Sequence, residues 1–318
     1  MTSRPIAIYY EHPDWFRPLF AELEARRIDY VKLKASCHSY DPANRSVDFS
    51  LFVNRMSASA YLRGNGQGIF FTHNYLAHLE AAGVRIVNGS RSFALETSKA
   101  LQLRLIHSLG LFSPKTRVVN CQDEIIMAAA QLGFPLVVKP NIGGRGAGIM
   151  RFDSAEELRA AIDQNKVELG IDQTALVQEL IPPRDGHITR VETLGGKFLY
   201  AIDISTDGEN FNLCPAEICR TENVAMFLEG RGTDAPQSGV RIQACTPPRD
   251  IIDAVEKIVS FAGIEVGGVE YLTDDRDGRA LFYDINALSN FVAESLSVIG
   301  FDPHVRLVEY LERQRSRL

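Results

Sequence analysis

One stretch constrains this chain more than any other: residues 136–149, Leu-Val-Val-Lys-Pro-Asn-Ile-Gly-Gly-Arg-Gly-Ala-Gly-Ile. Gly143, Gly144, Gly146 and Gly148 fall within six positions. Such spacing lets a backbone approach a ligand closely and turn its N–H groups toward an anion. The apolar run before the glycines reads as a buried strand, and Ile149–Phe152 after them reads as a second one. A Walker loop ends in Gly-Lys-Ser/Thr and opens a helix, and a dinucleotide-binding fingerprint also opens a helix. Here Lys139 precedes the glycines and a strand follows them, so neither pattern is met. The layout is a hairpin that can fold over a polyphosphate as a lid, with Lys139 on the strand beneath. The plainer reading is a glycine-rich surface turn, which leaves unexplained a lysine set inside an apolar run. Burying an ammonium without an anionic partner is costly, and a phosphate would supply that partner.

Two other stretches carry polar chemistry. Val266–Leu272 and Ala280–Ile285 read as a hairpin around Asp277-Gly278, with Glu270 and Asp284 on adjacent strands. Asp284 and Asn286 are two apart and project from one face of their strand. Three oxygen donors of this kind suit a magnesium ion, which takes carboxylates, amide oxygen, water and phosphate. Polar residues facing solvent from a half-buried strand would give the same alternation of Tyr271, Leu272, Tyr283 and Ile285. In Leu176-Val177-Gln178-Glu179-Leu180-Ile181-Pro182, a strand ends before a proline. Its backbone groups could meet an adenine edge, or it is an ordinary strand end.

Strands at 6–10, 30–33, 51–53 and 84–87 alternate with helical segments, which predicts a parallel sheet with crossover helices. Trp15, Phe16, Leu19, Phe20 and Leu23 recur at helical spacing, residues 64–68 read as a loop, and residues 92–109 as one helix. Residues 118–165 form a compact strand–helix unit in which Ser154 to Glu157 match a capping box. Strands at 175–181, 188–194 and 197–205 follow, the last two joined by a Gly195-Gly196 turn. Residues 214–245 read as a long functional loop with a short helix. Thr246 is the predicted cap of a helix that has Pro247-Pro248 in its first turn. A final helix starts near Pro303, with Arg313, Arg315 and Arg317 suited to its dipole.

Composition narrows the function. The 318 residues hold 34 Lys and Arg against 40 Asp and Glu, a net charge of -6, which argues against nucleic acid as a partner. No apolar run approaches the ~20 residues of a membrane span, and residues 1–5 lack a secretory layout. Five cysteines without a C-x-x-C pair point to a reducing, cytoplasmic setting. Cys214 and Cys219 do not have zinc-site spacing.

Val138-Lys139-Pro140 with its glycine loop, Gln178-Glu179, Arg190 and Asp284-Ile285-Asn286, in this order, resemble the ATP-grasp superfamily. Within it the chain is most similar to the alpha-L-glutamate ligase and glutathione-synthase-like branch, from about Val53-Asn54-Arg55 to Phe291. The resemblance implies an α/β and α+β chain: an N-terminal parallel α/β (pre-ATP-grasp) domain at 1–95, a central ATP-grasp subdomain with the glycine lid at 96–182, and a C-terminal subdomain with the metal site at 183–318. It implies ATP and Mg2+ (or Mn2+) as cofactors. Lys99 and Lys139 then contact phosphates and Gly143, Gly144, Gly146 and Gly148 cover them. Gln178, Glu179, Leu180 and Ile181 hold adenine. Glu270, Asp284 and Asn286 bind metal, and Arg190 faces the γ-phosphate or an acyl phosphate, so Arg190 and Lys139 are the catalytic pair.

The chain also departs from that family. Ile188 stands where an acidic ribose ligand is common, with Asp185 and His187 as the nearest substitutes. Asp203 replaces a common arginine, and Leu288-Ser289-Asn290 replaces a Ser-Pro-Gly-like turn. Asp203, Ser289 and Asn290, together with Arg190 and Arg220, are therefore the substrate-side candidates. Cys214 to Glu217 and Arg231 either shape that pocket too or are surface.

The implied activity is ATP-dependent ligation of a small-molecule carboxylate to an amine through an acyl phosphate. The substrate would be an amino acid, a short peptide or a protein tail, and the enzyme a homo-oligomer. The alternatives are a non-catalytic ATP-binding regulatory protein and a ligase with a thiol or alcohol acceptor. A nicotinamide-dependent enzyme is disfavoured, because no G-x-G-x-x-G follows Tyr10.

Overall fold

Five apolar residues in a row, all buried, make Ile6–Tyr10 (β1) an inner strand covered on both faces. It pairs in parallel with Tyr30–Lys34 (β2) and Leu51–Arg55 (β3), and β3 with Arg85–Val87 (β4), giving the order β2-β1-β3-β4. The structure is a computed structural model that describes residues 4–205 and 241–316.

Two local expectations in this part differ from the fold. Gly66 and Gly68 lie in the first turn of the helix Gly66–Ala81, not in a loop. A Cβ on Gly68 would sit 3.2 Å from Met56 Cε and 3.4 Å from the Ala35 carbonyl oxygen, so the glycine serves close packing. The segment 92–109 is two helices, Ser90–Glu96 and Lys99–Ser108. Ser98 breaks them, because its Oγ accepts from the Leu101 N–H as a helix cap. Lys99 thereby begins a helix.

The second sheet holds Thr116–Val119 (β5), Leu136–Pro140 (β6), Met150–Phe152 (β7) and Ala175–Glu179 (β8), ordered β5-β8-β6-β7 with every pair antiparallel. The strand–glycine loop–strand hairpin is β6–β7, with Leu136 opposite Phe152. Helices Gln122–Leu132 and Ala155–Asp163 cover one face of this sheet. Ser154 caps the second, accepting from Glu157 N–H at 3.2 Å, while the Glu157 carboxylate accepts from Asp153 N–H.

The third sheet is antiparallel throughout: His187–Leu194 (β9), Lys197–Ser205 (β10), Arg241–Cys245 (β11), Val266–Thr273 (β12) and Ala280–Asn286 (β13), ordered β11-β10-β9-β12-β13. Gly195 and Gly196 turn β9 into β10 with φ of 62° and 74°. The helix Arg249–Ala262 packs on one face, against Val191, Ala201, Val269 and Ile285. Its cap is Pro248 rather than Thr246: a proline forces the preceding residue out of the helical region, so Pro247 cannot join the helix.

The opposite face meets the N-terminal sheet and the helix Pro303–Arg315, whose cap is Asp302. Asn88, just past β4, fixes this junction. Its Nδ2 donates to the carbonyls of Val266 (2.6 Å) and Ala287 (2.5 Å), and its Oδ1 accepts from Glu265 and Val266 N–H. Among the described residues no helix is long and apolar enough to cross a membrane. The expected loop chemistry at Cys214, Cys219, Glu217, Arg220 and Arg231, and Arg317, lie outside the described residues.

Candidate active site

A cleft of about 480 Å³ opens between the glycine hairpin and the third sheet, with a wall from the segments that follow two strands of the N-terminal sheet. Its floor depends on a β-bulge. From Thr273↔Ala280 to Tyr271↔Phe282 the β12–β13 register is regular, and it then shifts by one so that Glu270 opposes Asp284. Without that extra residue Glu270 would oppose Tyr283, and the two carboxylates would project from opposite faces. The bulge brings them together and leaves Tyr283 as the inserted residue, also lining the cleft, with its ring 6.0 Å from Lys139 Nζ.

The neighbouring strand supplies Arg190, in register with Glu270. Arg190 Nη1 donates to Glu270 Oε1 at 3.1 Å and Nε donates to Glu192 Oε1 at 2.6 Å. Lys99 Nζ donates to Asp284 Oδ1, and Asn286 Nδ2 lies 3.4 Å from Asp284 Oδ2. Asn141, just after β6, ties the start of the Lys99 helix to the hairpin, its Oδ1 accepting from Ala100 N–H and Ser98 Oγ.

This is a buried cluster of opposed charges, in which burial and the neighbouring charges compete at each group. Burial, helped by the nearby Lys99 charge, pulls the Lys139 ammonium down to about 7. Burial also opposes the charges of Lys99 and Arg190, but their carboxylate partners outweigh it and both are held above their ordinary values. Glu270 is raised by burial and by Asp284. Asp284 itself is lowered, because Lys99 and the other cations overcome its burial.

The donor set fits a hard divalent cation: two facing carboxylates and an amide whose oxygen can turn inward. No group of three His, Cys, Asp or Glu side chains that could hold a metal occurs among the described residues, so Asn286 would have to be the third ligand.

Lys99, Lys139, Gly143, Gly144, Gly146, Gln178, Glu179, Leu180, Ile181, Arg190, Glu270, Asp284, Asn286 and Asn290 all line the cleft. The glycine loop reaches the opposite wall, where a Cβ on Gly144 would sit 3.1 Å from Ser59 Cβ. In the segment expected to hold adenine, two N–H groups are committed, Glu179 to the Lys115 carbonyl and Leu180 to the Pro135 carbonyl. Gln178 donates to Thr116 Oγ1 at 2.7 Å.

Three expected residues lie elsewhere. Gly148 (φ 74°) folds against Pro140 outside the cleft lining. Ser289 is fully buried; its carbonyl accepts from Arg55 and its Oγ from Phe291 N–H. Asp203 points to the opposite face of the sheet, accepting from Thr189 Oγ1 at 2.6 Å, with His187 Nε2 3.7 Å away. A bulge between Phe198 and Tyr200 shifts the β9–β10 register and sends Asp203 to that face. His187 shares its direction and Asp185 is exposed, so neither stands in the cleft.

The cleft also contains residues that sequence reading gave no role. Glu96 accepts from Ala287 N–H (2.6 Å) and Leu288 N–H (3.2 Å), and burial pushes its carboxyl up to about 7. Trp15, Ser57 and Ser59 form the N-terminal wall. Trp15 stacks on His12 at 4.2 Å, and the Arg63 guanidinium sits 5.0 Å from its ring centre. Helical spacing made Trp15 look like core alone.

No family model matches the sequence. Among curated proteins, the D-alanine--D-alanine ligase of Pseudomonas fluorescens (strain Pf0-1) is 27% identical over 219 residues, covering 69% of this chain and 62% of that ligase. The chain thus spans less than two thirds of the length of that relative. Among solved structures, the ATP-grasp ligase PsnB complexed with its minimal precursor superposes with a TM-score of 0.67 at 17% identity, covering 98% of this chain and 100% of PsnB. The RimK domain ATP-grasp protein of Sphaerobacter thermophilus DSM 20745 gives 0.67 at 19% identity, covering 96% of this chain and 98% of that one. PsnB with a phosphomimetic variant of the minimal precursor, Mg and ADP gives 0.64 at 17% identity, covering 97% of this chain and 98% of that one. The fold is therefore the ATP-grasp fold. These likenesses spread across several of its branches and do not single out the alpha-L-glutamate ligase branch.

Proposed function

We propose that this protein is an ATP-dependent carboxylate–amine ligase that forms an amide through an acyl phosphate, releasing ADP and phosphate. The observation that carries the reading is the buried meeting of Lys99, Lys139 and Arg190 with Glu270 and Asp284 under a glycine hairpin. Such a set has no use in a surface turn and matches the needs of phosphoryl transfer, which are alignment and charge neutralisation. The three bodies at 1–95, 96–182 and 183–318 would then divide the labour: carboxylate and amine against the first, nucleotide between the others.

Magnesium, held by Glu270, Asp284 and the Asn286 amide oxygen, would offset the charge of the nucleotide's phosphate oxygens. Lys139 reaches the same place from β6, and Lys99 exchanges its Asp284 contact for a phosphate. Arg190 faces the γ-phosphoryl group as the substrate carboxylate attacks it, giving acyl phosphate and ADP. The glycine hairpin, seated against Ser59, keeps water from that intermediate. Ile181 and the hinge carbonyls are left to meet the adenine. The amine then attacks the acyl carbon and phosphate leaves with the bonding pair, while the amine's proton passes to solvent. Trp15 and Asn290 line the side where the carboxylate enters.

The D-alanine--D-alanine ligase joins D-alanine by its name, and PsnB has been solved complexed with a precursor peptide, which supports an amino acid or short peptide, a protein tail included, as substrate. The reading also includes a cytoplasmic location and a homo-oligomer, the first from cysteine usage and the second because symmetric assemblies are common. The test is an ADP-release screen of amino acids and dipeptides in pairs with magnesium and ATP, followed by mass spectrometry. The expected product has the combined mass of the two substrates less one water. An ester or thioester product would instead assign an alcohol or thiol acceptor. Tight Mg-ATP binding with no ADP release from any pair would make the protein a regulatory binder.

A further inference from the structure

We propose that Glu192 is a positioning residue that aims Arg190, and that Gly268 exists to make room for it. This deepens the ligase reading and rests on its assignment of Arg190 to the transferred phosphoryl group. On β9, Arg190 and Glu192 are two apart and share the cleft-side face. Across the ladder Arg190 is in register with Glu270, and Glu192 with Gly268. A Cβ on Gly268 would sit 2.9 Å from Glu192 Cδ and 3.0 Å from both carboxylate oxygens. Gly268 has no positive φ, so its backbone does not demand glycine. The carboxylate above it does.

Glu192 is completely buried, in a place where an apolar side chain would pack without desolvation cost. It spends Oε1 on Arg190 Nε, while Glu270 takes Nη1. Those two contacts fix the plane of the guanidinium and leave Nη2 to point at a ligand. Glu192 Oε2 has no protein partner, and neither do Nε and Nη1 of the buried Arg55 on β3. No bond joins Arg55 to Glu192, but the two charges lie close enough to act on each other, so Arg55, Glu192, Arg190 and Glu270 form a buried series of alternating charge leading toward the candidate metal site. If Glu192 loses its charge, Arg190 turns toward Glu270, a ligand it should not engage fully.

The first measurement needs no turnover. In 15N-labelled protein, the Arg190 Nε–H signal (assigned by its loss in R190K) should exchange slowly with solvent. In E192Q, which keeps the shape, it should shift and exchange at least ~10-fold faster, as a charge-assisted bond becomes a neutral one. Once a substrate pair is known, E192Q should lower kcat by ~10–100-fold with KM for ATP changed no more than ~3-fold. In an R190A background E192Q should cost nothing further. G268A, which displaces the same carboxylate by contact, should act in the same direction, and it decides the matter if E192Q fails to fold. An unchanged Nε–H signal in E192Q, or an equal loss with and without Arg190, would overturn the proposal. A wild type that turns over no pair would sink the ligase reading while leaving the exchange measurement decisive for Glu192.

Discussion

Lys99 and Asp284 are 185 positions apart, yet the ammonium of one is bonded to the carboxylate of the other at the base of the cleft. The contact joins the first residue of a helix to the last strand of the third sheet. It occupies an oxygen that a divalent cation would need, so under the proposed function Lys99 would have to give up this contact when magnesium and nucleotide bind. Under the same reading D284A should cost at least ~100-fold in turnover, the scale for losing a preorganised charge in a dry site, and chelating magnesium should bring the unmutated protein to a similar floor. K139A should lose as much. Initial rates of ADP release check all three, and near wild-type turnover in either variant would remove that residue from the site.

The tip of the glycine hairpin rests on Ser59, where even a Cβ at Gly144 would come within 3.1 Å of Ser59 Cβ. G144L should hold the lid away from that wall. Water then reaches the acyl phosphate, and the expected sign is ADP release outrunning amide formation, with KM for ATP raised. Wild-type coupling of ADP to product in G144L would show that closure against Ser59 has no part in the reaction.

Trp15 lines the cleft, and its Nε1–H is buried and without a protein acceptor. A buried N–H of this kind favours a ligand oxygen. W15F keeps an aromatic face for His12 and removes the donor together with part of the ring. KM for the carboxylate substrate should rise ~5–20-fold while Mg-ATP affinity stays put, as expected for loss of one buried hydrogen bond. A change confined to ATP binding would move Trp15 to the nucleotide side.

What was legible in the sequence was what local pattern determines. The glycine hairpin, the Gly195-Gly196 turn and the four parallel strands are spelled out by neighbouring residues, and so is the oddity of Lys139 in an apolar run. Strand parity was not legible, because one inserted residue reverses it. The bulge in β13 put Glu270 and Asp284 on one face, while the bulge in β10 carried Asp203 away from the cleft. Neither insertion leaves a mark such as a glycine at the bulge itself. Glu192 escaped notice for a related reason, since its meaning lies in its register with Gly268, 76 positions later in the chain. Trp15 was hidden by its own periodicity, which is that of any helix facing a core.

His304 gives a prediction about stability. Its ring packs edge-on to Phe291 at 5.2 Å, and burial holds it below the ordinary value of 6.5, with Asp302 opposing and Arg55 assisting. His38 and His73 are lowered by burial as well. A histidine whose folded value is depressed binds its proton more readily when the chain unfolds. The stability it contributes is therefore complete above 6.5 and is lost as pH falls from there toward the folded value. H304Q keeps the backbone bond from residue 304 to Asp302 and removes the titration. Urea midpoints measured between about pH 7 and about pH 5 should fall less steeply for H304Q than for the intact protein. Equal slopes would mean that His304 titrates alike in both states and that its burial contributes nothing to acid sensitivity.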